Sequence, residues 1–68
     1  MKISARNQIS GTVETITPGA VNGSVKVAIG GGQTITANIT EEAIADLGLA
    51  PGDAVTVIVK ASDVMIGK

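Results

Sequence analysis

The amino-acid sequence predicts an all-β protein with one short helix, in the order strand, strand, strand, helix, strand, strand. Three observations support this prediction. β-Branched residues dominate the apolar runs, the second and third runs alternate strictly between apolar and polar residues, and one segment between the third and fourth runs has helical spacing. Because this is the element order of an OB-type barrel, we expect a five-stranded OB-like barrel over residues 1–68, formed as a single domain.

The first strand is predicted over Ile9–Thr17, where β-branched side chains are most frequent. Gly11 lies inside this run and indicates a bulge or a sharp bend. The turn sequences Pro18-Gly19 and Asn22-Gly23 follow and are expected to separate the first strand from the second.

A hairpin is predicted next. Ser24–Ile29 and Gln33–Ile39 each alternate apolar and polar residues, which is typical of strands with one buried face. Gly30–Gly32 joins them and provides the conformational freedom that a tight turn requires.

The helical segment is Thr40–Gly48. Thr40 is a suitable N-cap, and the two glutamates that follow it suit the positive end of the helix dipole. Ile44 and Leu47 are spaced i, i+3 and are expected to face the core, while Gly48 is expected to end the helix.

The remaining chain predicts two strands. Ala54–Val59 is nearly apolar on both faces, so we expect this strand in the centre of the sheet or at a subunit contact. Ser62-Asp63 interrupts the chain, and Val64–Ile66 is predicted to form the fifth strand.

The composition excludes several kinds of chemistry. The chain has no Cys, His, Phe, Tyr or Trp, so disulfides, zinc sites, imidazole bases and aromatic platforms for nucleic acid are absent. Glu41 and Glu42 are adjacent at an exposed helix start, and Gly30–Gly32 lacks the lysine and hydroxyl of a phosphate-binding P-loop. We therefore expect no enzymatic activity and no cofactor.

The small aliphatic core indicates self-association. The 68 residues include eight Val and nine Ile but only two Leu and two Met. A single core in a chain of this size rarely supplies more than ~3–5 kcal/mol, and no disulfide or metal can supplement it. We therefore expect an oligomer. No run reaches the ~18 apolar residues of a membrane span and no signal peptide is visible, so we also expect a cytoplasmic protein without membrane contact.

Hydrogen-bond donors cluster near the two ends of the chain. Ser4–Gln8 contains a hydroxyl, a guanidinium and two amides without any acidic side chain, and Lys60 and Ser62 follow the fourth strand. Such groups suit a tetrahedral dianion, because buried charge must be hydrogen-bonded. A pocket made only of donors would disfavour phosphate, which near pH 7 carries an O–H whose unpaired burial costs ~1–3 kcal/mol.

The same segments carry a family resemblance. Ser4-Ala5-Arg6-Asn7-Gln8-Ile9 resembles the opening motif of the molbindins, which are small cytoplasmic molybdate-binding proteins of the Mop type with a TOBE or OB-like domain. Leu49–Val55, followed by Val59–Val64, resembles the closing motif of that family. The likeness covers essentially the whole chain, with the short helix in the same place.

The resemblance implies a function and an assembly. Molbindins bind molybdate or tungstate at subunit interfaces, store or buffer the oxyanion, and form hexamers as trimers of dimers. One subunit would contribute Ser4, Ala5, Arg6 and Asn7, its neighbour Lys60, Ala61 and Ser62, and Thr40 would join them. A second class of site is assigned to the turn formed by Gly19, Ala20, Val21, Asn22 and Gly23.

Three other functions remain open. Leu47–Val55 also resembles a stretch of swapped-hairpin DNA-binding transcriptional regulators, but the net charge of −1 and the dispersed cations disfavour nucleic acid as a partner. An OB-type nucleic-acid binder would need the aromatic residues that the chain lacks. A purely structural oligomerisation module is distinguished from the molbindin interpretation by oxyanion binding alone.

Overall fold

The computed structural model describes residues 1–68, the whole of the chain. Its elements are β1 (Asn7–Thr17), β2 (Asn22–Gly30), β3 (Gln33–Thr40), α1 (Glu41–Leu47), β4 (Ala54–Val59) and a 3-10 turn (Ala61–Asp63). The predicted class, mostly β with one short helix between the third and fourth strands, is confirmed. The predicted fifth strand is not formed.

The four strands make one antiparallel sheet in the order β3-β2-β1-β4. β1 is long and changes partner along its length: Asn7–Thr12 pairs with β4, and the half that begins at Thr12 pairs with β2. β4 is therefore an edge strand. Of the two positions predicted for it, the centre of the sheet is wrong, and the subunit contact stays a prediction.

Gly11 does not form the predicted bulge. The register of β1 shifts between Val13 and Thr15, whereas Gly11 pairs regularly with Val55. Glycine is needed at position 11 because β2 passes close by: an added Cβ would lie 2.5 Å from the Val27 Cγ1 atom and 2.8 Å from the Ala28 carbonyl oxygen. The glycine at position 11 therefore reflects the close approach of β1 and β2.

Gly11→Ala is therefore expected to destabilise the fold. The methyl group would overlap a backbone carbonyl, and overpacking of this kind typically costs about 1–3 kcal/mol. The midpoint of thermal unfolding should fall by about 4 °C or more. Gly67→Ala is the matched control, because a methyl group added there would have no other atom within 4 Å. Equal midpoints of thermal unfolding in the two variants would contradict the close approach of β2 to Gly11.

The hairpin turn and both helix ends are as predicted. Gly30, Gly31 and Gly32 all have positive φ, at 102°, 61° and 75°. The Thr40 hydroxyl accepts a hydrogen bond from the Ala43 N–H at 3.0 Å. Gly48 adopts the left-handed conformation at φ 62° and ends the helix.

The core is small and lies between α1 and one face of the sheet. Only Val13, Val25, Val27 and Ile44 are buried hydrophobic residues. Leu47 is 68% exposed, which corrects the prediction that it faces the core. The reason is that no element of the chain covers the sheet beside the end of α1, so the Leu47 side chain borders an open apolar groove.

The C-terminal segment leaves the sheet after the 3-10 turn. Val64, Met65 and Ile66 are 47%, 91% and 90% exposed. The segment has strand-forming residues but no neighbouring strand in the chain to accept its backbone hydrogen bonds. A strand prediction from residue type alone fails here because a strand also requires a partner.

Candidate oxyanion-binding site

The two donor-rich segments leave the sheet side by side. β1 and β4 are antiparallel, so the start of β1 lies beside the end of β4, and Asn7 pairs with Val59. The Asn7 side-chain amide also donates a hydrogen bond to the Val59 carbonyl oxygen at 3.2 Å. Residues before Asn7 and after Val59 are consequently brought to the same corner of the molecule.

This corner forms an open pocket. Its lining consists of Ile3, Ser4, Ala5, Arg6, Ile58, Lys60, Ala61, Ser62 and Asp63. Six of the eight residues predicted for the oxyanion site therefore line one pocket: Ser4, Ala5, Arg6, Lys60, Ala61 and Ser62. The resemblance had implied that the two segments come from neighbouring subunits, whereas in this structure one chain supplies both.

The backbone of the 3-10 turn adds donors. The Asp63 N–H donates to the Lys60 carbonyl oxygen at 2.9 Å, and the Val64 N–H donates to the Ala61 carbonyl oxygen at 3.3 Å. The backbone N–H groups of Ala61 and Ser62 lie at the start of the turn and donate no hydrogen bond within it. They are available to an anion beside the Lys60 ammonium and the Ser62 hydroxyl.

Two of the predicted residues are not part of this pocket. Asn7 borders it, but its side chain is bonded to Val59. Thr40 pairs with Asn22 at the far end of the sheet, and its hydroxyl caps α1. Within one chain, Thr40 cannot join the groups contributed by Arg6 and Lys60.

The segment assigned to a second site, Gly19–Gly23, lies at the same far end. Asn22 and Gly23 were predicted to form a turn, but they are the first residues of β2 and pair with Thr40 and Ile39. The Gly19 N–H donates to the Glu41 carboxylate at 2.7 Å, and the Glu41 N–H donates to the Val21 carbonyl oxygen at 2.8 Å. An anion at Gly19 would have to compete with the Glu41 carboxylate for that N–H. The assignment of Gly19–Gly23 to a second site stays a prediction.

Sequence reasoning missed three residues of the pocket. Ile3 and Ile58 contribute apolar contact area, and Asp63 contributes a carboxylate. The pocket is therefore not made only of donors, which corrects the expectation drawn from the Ser4–Gln8 segment. The available signal was the position of Asp63, directly after the predicted residue Ser62.

The pocket is open to solvent in the single chain. Ser4, Arg6, Lys60, Ala61 and Ser62 are all exposed. An anion bound here would keep part of its hydration, which weakens every hydrogen bond it makes relative to a closed site. A second surface over the pocket would strengthen binding.

The fold, together with the similarity to known proteins, identifies the class of the protein. A family model described as the TOBE domain matches residues 3–66, and the chain belongs to the TOBE domain family. A protein of Haemophilus influenzae, described as a probable molybdenum-pterin-binding protein, is 43% identical over 67 residues, which cover 98% of this chain and 97% of that protein.

Solved structures agree with this classification. A molybdate-binding protein from Sporomusa ovata superposes with a TM-score of 0.93 at 41% identity, and the match covers 100% of both chains. The cytoplasmic molybdate-binding protein ModG, solved with molybdate bound, gives a TM-score of 0.90 at 49% identity over 96% of this chain and 46% of that chain.

These relatives confirm the resemblance to the molbindins. All three are described by what they bind and not by a reaction, in agreement with the expectation that the chain is not an enzyme. The one helix of the structure is too short to cross a membrane.

Proposed function

We propose that the chain binds molybdate, or tungstate, in the pocket between the start of β1 and the end of β4, and that it stores or buffers the oxyanion in the cytoplasm. The observation that carries this proposal is the convergence of Arg6 and Lys60 with two serine hydroxyls in one pocket. The relatives named for molybdate and molybdenum-pterin binding, one of them cytoplasmic, support it.

The pocket groups match the chemistry of the ligand. A tetrahedral oxyanion without protons presents only acceptors, and its two negative charges favour charge-assisted hydrogen bonds. Arg6 supplies a forked set of N–H donors, and Lys60 supplies a compact positive charge. The hydroxyls of Ser4 and Ser62 and the free N–H groups of the 3-10 turn can complete the shell around the remaining oxygens.

A second copy of the chain is the proposed cover for the open surfaces. The part of the core-forming face of the sheet that α1 leaves uncovered forms a groove lined almost entirely by hydrophobic residues, including Leu47, Leu49 and Val57. The exposed apolar segment Val64–Ile66 follows the pocket directly. Exposed apolar surfaces of this kind are typical of protein–protein contacts. We propose a homo-oligomer, and specifically the hexamer built as a trimer of dimers that the molbindin resemblance implies.

Native mass spectrometry tests the proposal in one experiment. Spectra are recorded for the protein alone and after addition of molybdate, tungstate or sulfate. We expect a stable oligomer, hexameric under native conditions, that gains a fixed number of molybdate or tungstate ions. A monomer, or an oligomer that takes up none of these ions, would contradict the proposal.

Nothing in the structure favours the DNA-binding alternative. Arg6 and Lys60 lie in the pocket, whereas Lys26 lies in the middle of β2, and Lys2 and Lys68 lie near the chain ends. A duplex requires a continuous basic surface that neutralises several phosphates. With a net charge of −1 the chain has no such surface.

A further inference from the structure

One acidic residue lines the oxyanion pocket. Asp63 lies in the same lining as Arg6 and Lys60, so the pocket contains two cations and one anion. A carboxylate repels a dianion at short range, and a pocket devoted to anion binding would bind more tightly without it. Its presence therefore requires an explanation.

No structural role accounts for the Asp63 side chain. The Asp53 carboxylate accepts a hydrogen bond from the Ala50 N–H at 2.9 Å and holds the turn before β4. The Glu41 carboxylate accepts one from the Gly19 N–H at 2.7 Å. The Asp63 carboxylate is exposed and accepts no hydrogen bond in the chain. Its electrostatic effect is therefore free to act on a bound ion.

The backbone holds Asp63 at the pocket. The Asp63 N–H bonds to the Lys60 carbonyl oxygen at 2.9 Å, which closes the 3-10 turn between these two residues. This turn also presents Ala61 and Ser62, so the carboxylate is attached to the same short unit as the donors. A change in the Asp63 side chain leaves that backbone bond in place.

We propose that Asp63 is a specificity-determining residue of the oxyanion pocket, an inference that rests on the proposed function. Its carboxylate weakens the binding of fully deprotonated dianions such as molybdate and sulfate. It also accepts a hydrogen bond from an oxyanion that carries a proton, such as hydrogen phosphate. Asp63 thus lowers the preference for molybdate over phosphate and keeps the stored ion readily released.

Asp63→Asn and Asp63→Ala test this role by isothermal titration calorimetry with molybdate, sulfate and phosphate at pH 7.5. We expect about three- to tenfold tighter molybdate binding at low salt in both variants, with a smaller gain at high salt because ions screen exposed charges. Phosphate should gain less than molybdate, and least in Asp63→Ala, which has no side-chain acceptor. Asp46→Asn is the control, because it removes the same charge from the exposed face of α1.

Unchanged molybdate affinity and unchanged selectivity in both Asp63 variants, with the wild type binding molybdate normally, would overturn this inference alone. Equal tightening in Asp46→Asn would also overturn it, because the effect would then be one of net charge. If the wild-type protein binds no molybdate at any salt concentration, the proposed function fails together with the inference.

Discussion

Lys60→Ala is expected to weaken molybdate binding by about 10–150-fold while the protein stays folded and assembled. Lys60 directly follows β4 and lines the pocket together with Arg6. Loss of a charge-assisted hydrogen bond leaves one oxygen of the dianion without its partner. Because the Lys60 side chain is exposed and outside the core, its removal should not alter the fold.

Lys26→Ala is the matched control for Lys60→Ala. Lys26 is an exposed lysine in the middle of β2 and lies opposite Thr15 and Thr36 in the neighbouring strands. The substitution removes the same charge at a position away from the pocket. Calorimetric titration should detect near wild-type affinity in Lys26→Ala. If both variants lose affinity equally, or if Lys60→Ala binds as the wild type does, Lys60 is not part of the site.

The sequence predicted the local structure well because each element carries its own signal. Strict alternation defined β2 and β3, and the three glycines defined the turn between them. Thr40 and Gly48 defined the ends of α1 to within one residue. These features depend on interactions over a few residues, which a reading of the chain can evaluate.

Features that depend on distant contacts were predicted less well. Gly11 was assigned to a bulge or a sharp bend because its true neighbour, the backbone of Ala28, is far away in the sequence. Leu47 is spaced to face the core, but no element of the chain covers it. Val64–Ile66 has the composition of a strand, but no neighbouring strand pairs with it. In each case the residue type indicates a local preference, but the sequence does not show which distant part of the chain lies next to the residue.

The candidate site depends both on local sequence signals and on contacts between distant parts of the chain. Ser4–Gln8 and Lys60–Ser62 could be selected from their donor chemistry, and the pairing of β1 with β4 explains why these two segments meet. That pairing brings together distant parts of the chain, and the 3.2 Å hydrogen bond from Asn7 to Val59 joins residues 52 positions apart. Within one chain Thr40 lies at the opposite end of the sheet from this pocket, a separation that only the topology reveals.

The C-terminal segment provides the prediction with the largest effect on assembly. Met65 and Ile66 are 91% and 90% exposed in the single chain, although both side chains are strongly apolar. Full burial of such a side chain stabilises an interface by about 1.5–3 kcal/mol. A symmetric contact between two copies buries the side chains of both copies, so the segment would contribute several such terms to the free energy of association of a pair.

The double variant Met65→Asp/Ile66→Asp is accordingly expected to dissociate into folded monomers, because a charged carboxylate cannot be buried without a partner. Analytical ultracentrifugation measures the assembly, and circular dichroism checks that the sheet, which does not include this segment, is retained. Gly67→Asp/Lys68→Asp is the matched control, since it makes the same segment more negative still and leaves both apolar side chains intact. Dissociation of the control, or an intact oligomer in the Met65 and Ile66 variant, would mean that the segment does not hold the copies together. Loss of assembly accompanied by weaker molybdate binding would show in addition that the neighbouring copy completes the pocket.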